Sequence, residues 1–124
     1  MIKKISLLTL FFTLILSENS INTKDTMTHN HYVIVTLTAK PGKEQELKEA
    51  LLKVRNLSRE ENTNISYDVH EDINNPAQFV LYESWTSKQD HEKQFTKPYI
   101  QDLGKQLEIL LDKPFQHYMA QRID

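Results

Sequence analysis

NPAQFVLYESWTSKQDHEKQFTKPYIQDL, residues 75–103, decides how the whole chain reads. Residues 79–85 are apolar or aromatic at almost every position, end in Glu83-Ser84-Trp85, and give way abruptly to polar sequence. A short run rich in aromatic and branched side chains predicts a strand. Apolar groups fall at both odd and even positions, so the expectation is a central strand buried on both faces. Residues 87–95 then predict a short polar helix. Pro98 opens another, because its missing N–H costs nothing in a first helical turn. In that helix Ile100, Leu103, Leu107, Leu110 and Leu111 recur at helical spacing and predict a core stripe, with Gly104 inside it.

Reading upstream, residues 72–76 (DINNP) form a turn-rich connection, so the strand is expected to be the second arm of a hairpin. The first arm is 65–70, where Ile65, Tyr67 and Val69 alternate with Ser66, Asp68 and His70. Residues 43–59 predict the clearest helix, with Leu47, Ala50, Leu51, Val54 and Leu57 on one face. Its acids Glu44, Glu46 and Glu49 precede its bases Lys53, Arg55 and Arg59, an order that complements the helix dipole. Residues 32–39 (YVIVTLTA) predict a first strand stopped by Pro41-Gly42. Val33, Val35, Leu37 and Ala39 share one face, and Tyr32, Ile34, Thr36 and Thr38 the other. After Pro114, residues 115–121 (FQHYMAQ) predict the last strand. The order β-α-β-β-α-β gives an α+β, ferredoxin-like sandwich with its second helical region broken in two. Helices cover one face of such a sheet. The bare face would carry large apolar groups, and pairing two copies face to face would bury them. A homodimer is therefore expected.

Length and composition bound the function. The 124 residues suit one domain, and 39% hydrophobic with 26% charged residues is a globular balance. The net charge is −2, and no basic run follows Lys4, which argues against nucleic acid as a partner. There is no cysteine, so neither a disulfide framework nor a thiol nucleophile is available. Two glycines leave no phosphate loop or dinucleotide fingerprint. Met1-Ile2-Lys3-Lys4 followed by the apolar run 5–16 reads as a signal peptide over residues 1–20, with 21–30 a polar linker and 31–124 the domain. Export to the periplasm or outside is the expectation, with a cytoplasmic protein if translation starts at Met27. Of the five histidines, His29 and His31 fall at the linker, while His70, His91 and His117 lie on three elements at no metal-ligand spacing.

Four features in this order resemble the antibiotic biosynthesis monooxygenase family, which includes small quinol monooxygenases. They are Lys40-Pro41-Gly42-Lys43 after the first strand, Asn64-Ile65-Ser66-Tyr67-Asp68, the strand closing in Glu83-Ser84-Trp85, and Lys97-Pro98-Tyr99. The resemblance runs from Tyr32 to the C-terminus. It implies a dimeric α+β barrel that oxygenates a small aromatic substrate with dioxygen, using neither metal nor flavin. The deprotonated phenol or quinol itself would hand an electron to oxygen. The protein then supplies an apolar cavity, a group that assists deprotonation, and partners for the ring oxygens.

The resemblance also nominates residues. Trp85 matches the family's tryptophan and would stack on a ring and donate a hydrogen bond, or else anchor the core or dimer interface. Asn64 would orient a quinol hydroxyl, or cap a turn. Tyr67 corresponds to the family's common tyrosine on that strand. Glu83 matches the acid before the tryptophan, as a base, an orienting group or a structural carboxylate. Many relatives have a histidine where Gln94 stands, ahead of Pro98-Tyr99; Gln94 could bind a substrate hydroxyl but could not take a proton. His91, near one turn earlier, could share that face or lie in solvent, and its neighbours Asp90, Glu92 and Lys93 favour solvent. Trp85, Asn64, Tyr67 and His91 are thus the catalytic candidates, and Glu83, Gln94 and Tyr99 the substrate-binding ones. A haem-degrading branch with the same fold uses a first-strand Asn and a second-helix His beside the Trp. Here Thr36 and Thr38 occupy the first strand, and no histidine lies between Pro98 and Leu111. The alternative to an enzyme is a non-catalytic binding or stress-associated module of the same barrel, motivated by Gln94.

Overall fold

Alternation in the sequence becomes a four-stranded antiparallel sheet backed on one face by helices. The computed structural model describes residues 29–124; the expected leader and all but the last two linker residues lie outside them. The elements are β1 (His31–Thr38), α1 (Glu44–Arg59), β2 (Asn64–Asp72), β3 (Asn75–Trp85), α2 (Lys88–Lys93), a 3₁₀ turn (Gln94–Thr96), α3 (Pro98–Leu110) and β4 (Gln116–Ala120). The strands lie in the order β2-β3-β1-β4. This is the ferredoxin-like α+β fold, with the second helical region split as the sequence predicts.

Register decides which residues meet. Val33 pairs with Glu83, Val35 with Leu81 and Leu37 with Phe79, so the helix-side face runs through odd positions of both central strands. Against it pack Leu47, Leu51 and Val54 of α1 and Ile100, Leu103 and Leu107 of α3, all buried. The chain reverses after β1 at Gly42, whose φ of 85° is a conformation that a side chain would strain. The β2–β3 hairpin closes through Ile73 and Asn74, and the Asp72 carboxylate accepts the Asn74 N–H at 2.8 Å.

Two expectations change. Ile65 does not share the Tyr67 face. The pairing shifts between Asn64 and Ser66, so Ile65 is an extra residue, 52% exposed, while Tyr67 is buried. A bulge of this kind resets which side chains point inward. Nor is β3 buried on both faces within one chain. Its helix-side face is closed, but Tyr82 on the other is 40% exposed, with Tyr32, Ile34 and Tyr118 around it. The apolar residues on that face look away from the chain's own core.

Leu47 is fully buried where α1 crosses the sheet. Leu47→Ala should cost about 3 kcal/mol, the transfer of the lost carbons plus the void they leave. Equilibrium urea unfolding measures it.

Candidate functional site

Along the helix-side face of β3 the residues are Phe79, Leu81, Glu83 and Trp85, so one carboxyl group lies in an otherwise apolar row. Glu83 is only 4% exposed. An isolated buried carboxylate would be very costly, so its partners matter. Trp85 Nε1 donates to Glu83 Oε2 at 2.9 Å. The Tyr67 hydroxyl, directly opposite on β2, donates toward the same carboxyl. His91 Nε2 stands 3.7 Å from Oε2.

Burial pushes the Glu83 carboxyl up to about 7, and the hydrogen bonds from Trp85 and Tyr67 pull only partly against it. Burial pushes His91 down to about 3, and the charges of His31 and His117 add to that. Burial thus favours the neutral form of both groups, and below pH 7 their contact is that of an acid beside an imidazole rather than an ion pair. Tyr67 is raised well above the ordinary phenol range, first by burial and then by the Glu83 charge.

Local sequence holds His91 in place. Ser87 caps α2, its hydroxyl accepting the Asp90 N–H at 3.1 Å. Thr86 and Ser87 in turn donate to the Asp90 carboxylate at 2.6 and 2.8 Å, which lowers the Asp90 pKa. The first turn of α2 is thereby fixed, and His91, whose N–H bonds the Ser87 carbonyl at 3.1 Å, faces the sheet. Its ring lies 5.0 Å from Phe95, 5.2 Å from His31 and 5.5 Å from Trp85, centre to centre.

Glu83, Tyr67, His91 and Phe95 border a cavity of about 70 Å³ between the sheet and the helices. That is several times the roughly 10–15 Å³ that a single water needs, so the cavity is small but roomy. Leu37, Leu51, Leu81, Phe95, Leu107 and Phe115 make most of its wall, and Gly104 on α3 adds no side chain to fill it. Its polar wall is Tyr67, Glu83, His91 and Gln94. Gln94 is 2% exposed, and its amide nitrogen donates to Ser58 Oγ at 2.7 Å and to Tyr99 Oη at 3.2 Å. Tyr99 donates to Glu61 Oε1 at 2.7 Å, and burial pushes its hydroxyl up to about 12.

Residues 30–106, well over half the chain, match the family model described as Antibiotic biosynthesis monooxygenase. The chain belongs to the antibiotic biosynthesis monooxygenase family. Solved structures agree on the fold. PA3566 from Pseudomonas aeruginosa is 24% identical, with a TM-score of 0.74 over 81% of this chain and 100% of that one. A Nitrosomonas europaea protein, provisionally named an antibiotic biosynthesis monooxygenase, is 20% identical, with a TM-score of 0.74 over 80% and 95%. Rv0793 from Mycobacterium tuberculosis is 22% identical, with a TM-score of 0.72 over 77% and 96%. No curated protein matches the chain.

Within this family fold the nominated residues separate into two layers. Tyr67, Glu83, His91 and Gln94 meet at the cavity wall. His91 is 1% exposed, so the solvent position suggested by its charged neighbours is corrected: Asp90 folds back onto Thr86 and Ser87, Lys93 is exposed, and the cap turns His91 in. Trp85 is fully buried and stands behind Glu83, its one donor already used there, rather than on the wall. Asn64 is also off the wall; its amide donates to the Ser66 and Ser84 carbonyls at 3.0 and 3.4 Å and holds the β2 bulge. Tyr99 supports Gln94 from behind. His31 proves to be the first residue of β1 rather than linker, opposite Trp85. Among the described residues no group of three or more His, Cys, Asp or Glu is set to hold a metal ion, although His31 and His117 both act on His91.

Sequence reasoning missed Ser58. The buried stripe of α1 runs Leu47, Leu51, Val54, Ser58 rather than ending at Leu57, so a serine occupies a core position. A hydroxyl at that spacing was the available signal.

Glu83 links stability to pH. The folded protein keeps this proton longer than the unfolded chain does, so the stability it confers is complete below pH 4.5 and is lost as pH rises through about 7. The difference amounts to about 3 kcal/mol. His91 acts in the opposite sense: its contribution is complete above pH 6.5 and lost as pH falls toward about 3. Glu83→Gln keeps an uncharged acceptor for Trp85 and leaves His91 in place. Relative to the native protein it should gain about 3 kcal/mol between about pH 4 and about pH 8.5 in urea titrations. A constant difference across that range would contradict the buried acid.

Proposed function

We propose that the protein is a cofactor-independent monooxygenase that oxidises a small quinol or phenol with dioxygen, and that Glu83 is its base. One observation carries this reading: a buried carboxyl, raised to about 7, borders a small apolar cavity in a family fold associated with such chemistry. A base poised near the working pH is what proton abstraction from a ring hydroxyl calls for.

The chemistry balances without an added reductant. Ionised Glu83 takes the hydroxyl proton, and the resulting anion gives one electron to dioxygen. Superoxide and the ring radical combine to form a carbon–oxygen bond, giving a ring peroxide. The ring carbon then loses its hydrogen as a proton, the O–O bond breaks, and the distal oxygen leaves as water. Glu83 is placed to return the proton which that water needs. A phenol thus becomes a quinone, and a quinol a hydroxyquinone. One oxygen atom enters the ring and the other becomes water. The apolar wall favours this path by excluding water from the anion. His91, kept neutral, adds no competing charge beside the base.

Purified protein should consume oxygen with methylhydroquinone faster than the quinol autoxidises, and Glu83→Gln should lower that rate about 100-fold or more. The native kcat/KM should rise with pH through about 7 as Glu83 ionises. Trp85→Phe removes a hydrogen bond that favours the carboxylate, so it should move that rise to higher pH. Uptake no faster than autoxidation would overturn the oxygenase reading. Ligand binding without uptake would favour the non-catalytic module.

We also propose that two copies pair through the open sheet face. The support is the exposed pair Tyr82 and Tyr118 with half-buried Tyr32 and Ile34 beside them, a large apolar and aromatic group for a face left to water. Sedimentation should give a dimer mass for the native protein and a monomer mass for Tyr82→Arg.

A further inference from the structure

The buried amide of Gln94 has two ends, and its neighbours decide which end faces the cavity. Glu61, half-buried in the turn after α1, presents a carboxylate, which can only accept. Tyr99 has one hydroxyl proton and gives it to Glu61 Oε1 at 2.7 Å. The Tyr99 oxygen is then left as an acceptor toward Gln94, 3.2 Å away. The NH₂ end of Gln94 donates to it at shorter range than the Ser58 hydroxyl, 3.5 Å away, and that same nitrogen reaches Ser58 Oγ at 2.7 Å. A flipped amide would set its carbonyl against an oxygen with no proton to offer. The Gln94 carbonyl Oε1 therefore lies on the cavity side, with no protein donor among the described residues, in a side chain 2% exposed.

We infer that Gln94 is a fixed hydrogen-bond acceptor of the cavity, locked by Glu61 through Tyr99, and that the occupant must carry a second ring hydroxyl that donates to it. This rests on the reading of the cavity as an aromatic-hydroxyl site. Glu83 in its ionised form accepts from one hydroxyl and Gln94 from the other, so the site selects a ring diol. A mono-ether keeps only one donor, and a quinone has none. Unlike Glu83, which becomes a donor when protonated, Gln94 cannot reverse its polarity with pH. Tyr99 and Glu61 are positioning residues; neither borders the cavity.

Anaerobic calorimetric titration separates binding from turnover, at a pH above 8 where Glu83 is ionised. Native protein should bind methylhydroquinone about tenfold or more tighter than 4-methoxyphenol or methylbenzoquinone, since an unmet buried acceptor is costly. Tyr99→Phe frees the amide to turn, and the preference should shrink to about twofold. Glu61→Gln, at the half-buried end of the chain, can donate as well as accept, and should shrink it likewise even where Tyr99→Phe fails to fold. Equal native affinities for the three ligands would overturn the inference, as would no binding of any at millimolar concentration. So would an undiminished preference in Glu61→Gln. Oxygen uptake is scored separately. A diol preference without uptake leaves this inference standing while the oxygenase reading fails, and uptake without a preference does the reverse.

Discussion

The pair formed by Trp85 and Glu83 governs the rest of this molecule. An indole N–H meets a carboxyl oxygen at 2.9 Å inside the core, two residues apart on the same face of a central strand. A carboxyl there opposes folding unless it is neutral or well supplied with donors. Everything around it answers that demand. The β2 bulge turns Tyr67 inward as a second donor, and the cap of α2 swings His91 over the same group. The consequence is a polar spot that is satisfied yet sensitive, sitting on the boundary of an otherwise greasy space.

The cavity exists because the second helical region is broken. A continuous helix from Lys88 onward would carry its apolar stripe straight along the sheet. Instead the 3₁₀ turn at Gln94–Thr96, followed by Pro98, redirects the chain and lets Gln94 and Phe95 reach inward. Extended backbone at Lys97, with ψ of 136°, is what a residue before proline prefers. The same break places Tyr99 within reach of both Ser58 on α1 and Glu61 beyond it, tying three separate elements together.

How much of this was written in the sequence depends on the range of the interaction. Strands, helices and their order follow from alternation and helical spacing, which are local, and they were legible. The fold-side face of β1 was legible for the same reason. The Ile65 bulge was not, because residues 65–70 alternate cleanly and only pairing with β3 reveals the extra residue. His91 misled because its neighbours are charged; which side of a short helix turns inward is set by the Ser87 and Asp90 cap rather than by composition. For Trp85 the resemblance to the family left two positions open, a ring-stacking wall and a core anchor, because sequence alone does not show where its indole N–H goes. Only the distance to Glu83 shows its donor to be occupied. Ser58 passed unnoticed because a serine in a helix seldom signals a core position.

This chain has a single tryptophan, and it is bonded to the one carboxyl whose charge matters most. Indole emission responds to the charge and proton of a group it touches, and here no other indole contributes to the signal. The molecule therefore carries its own optical gauge: the light from Trp85 reports whether Glu83 holds its proton, without dye, label or substrate.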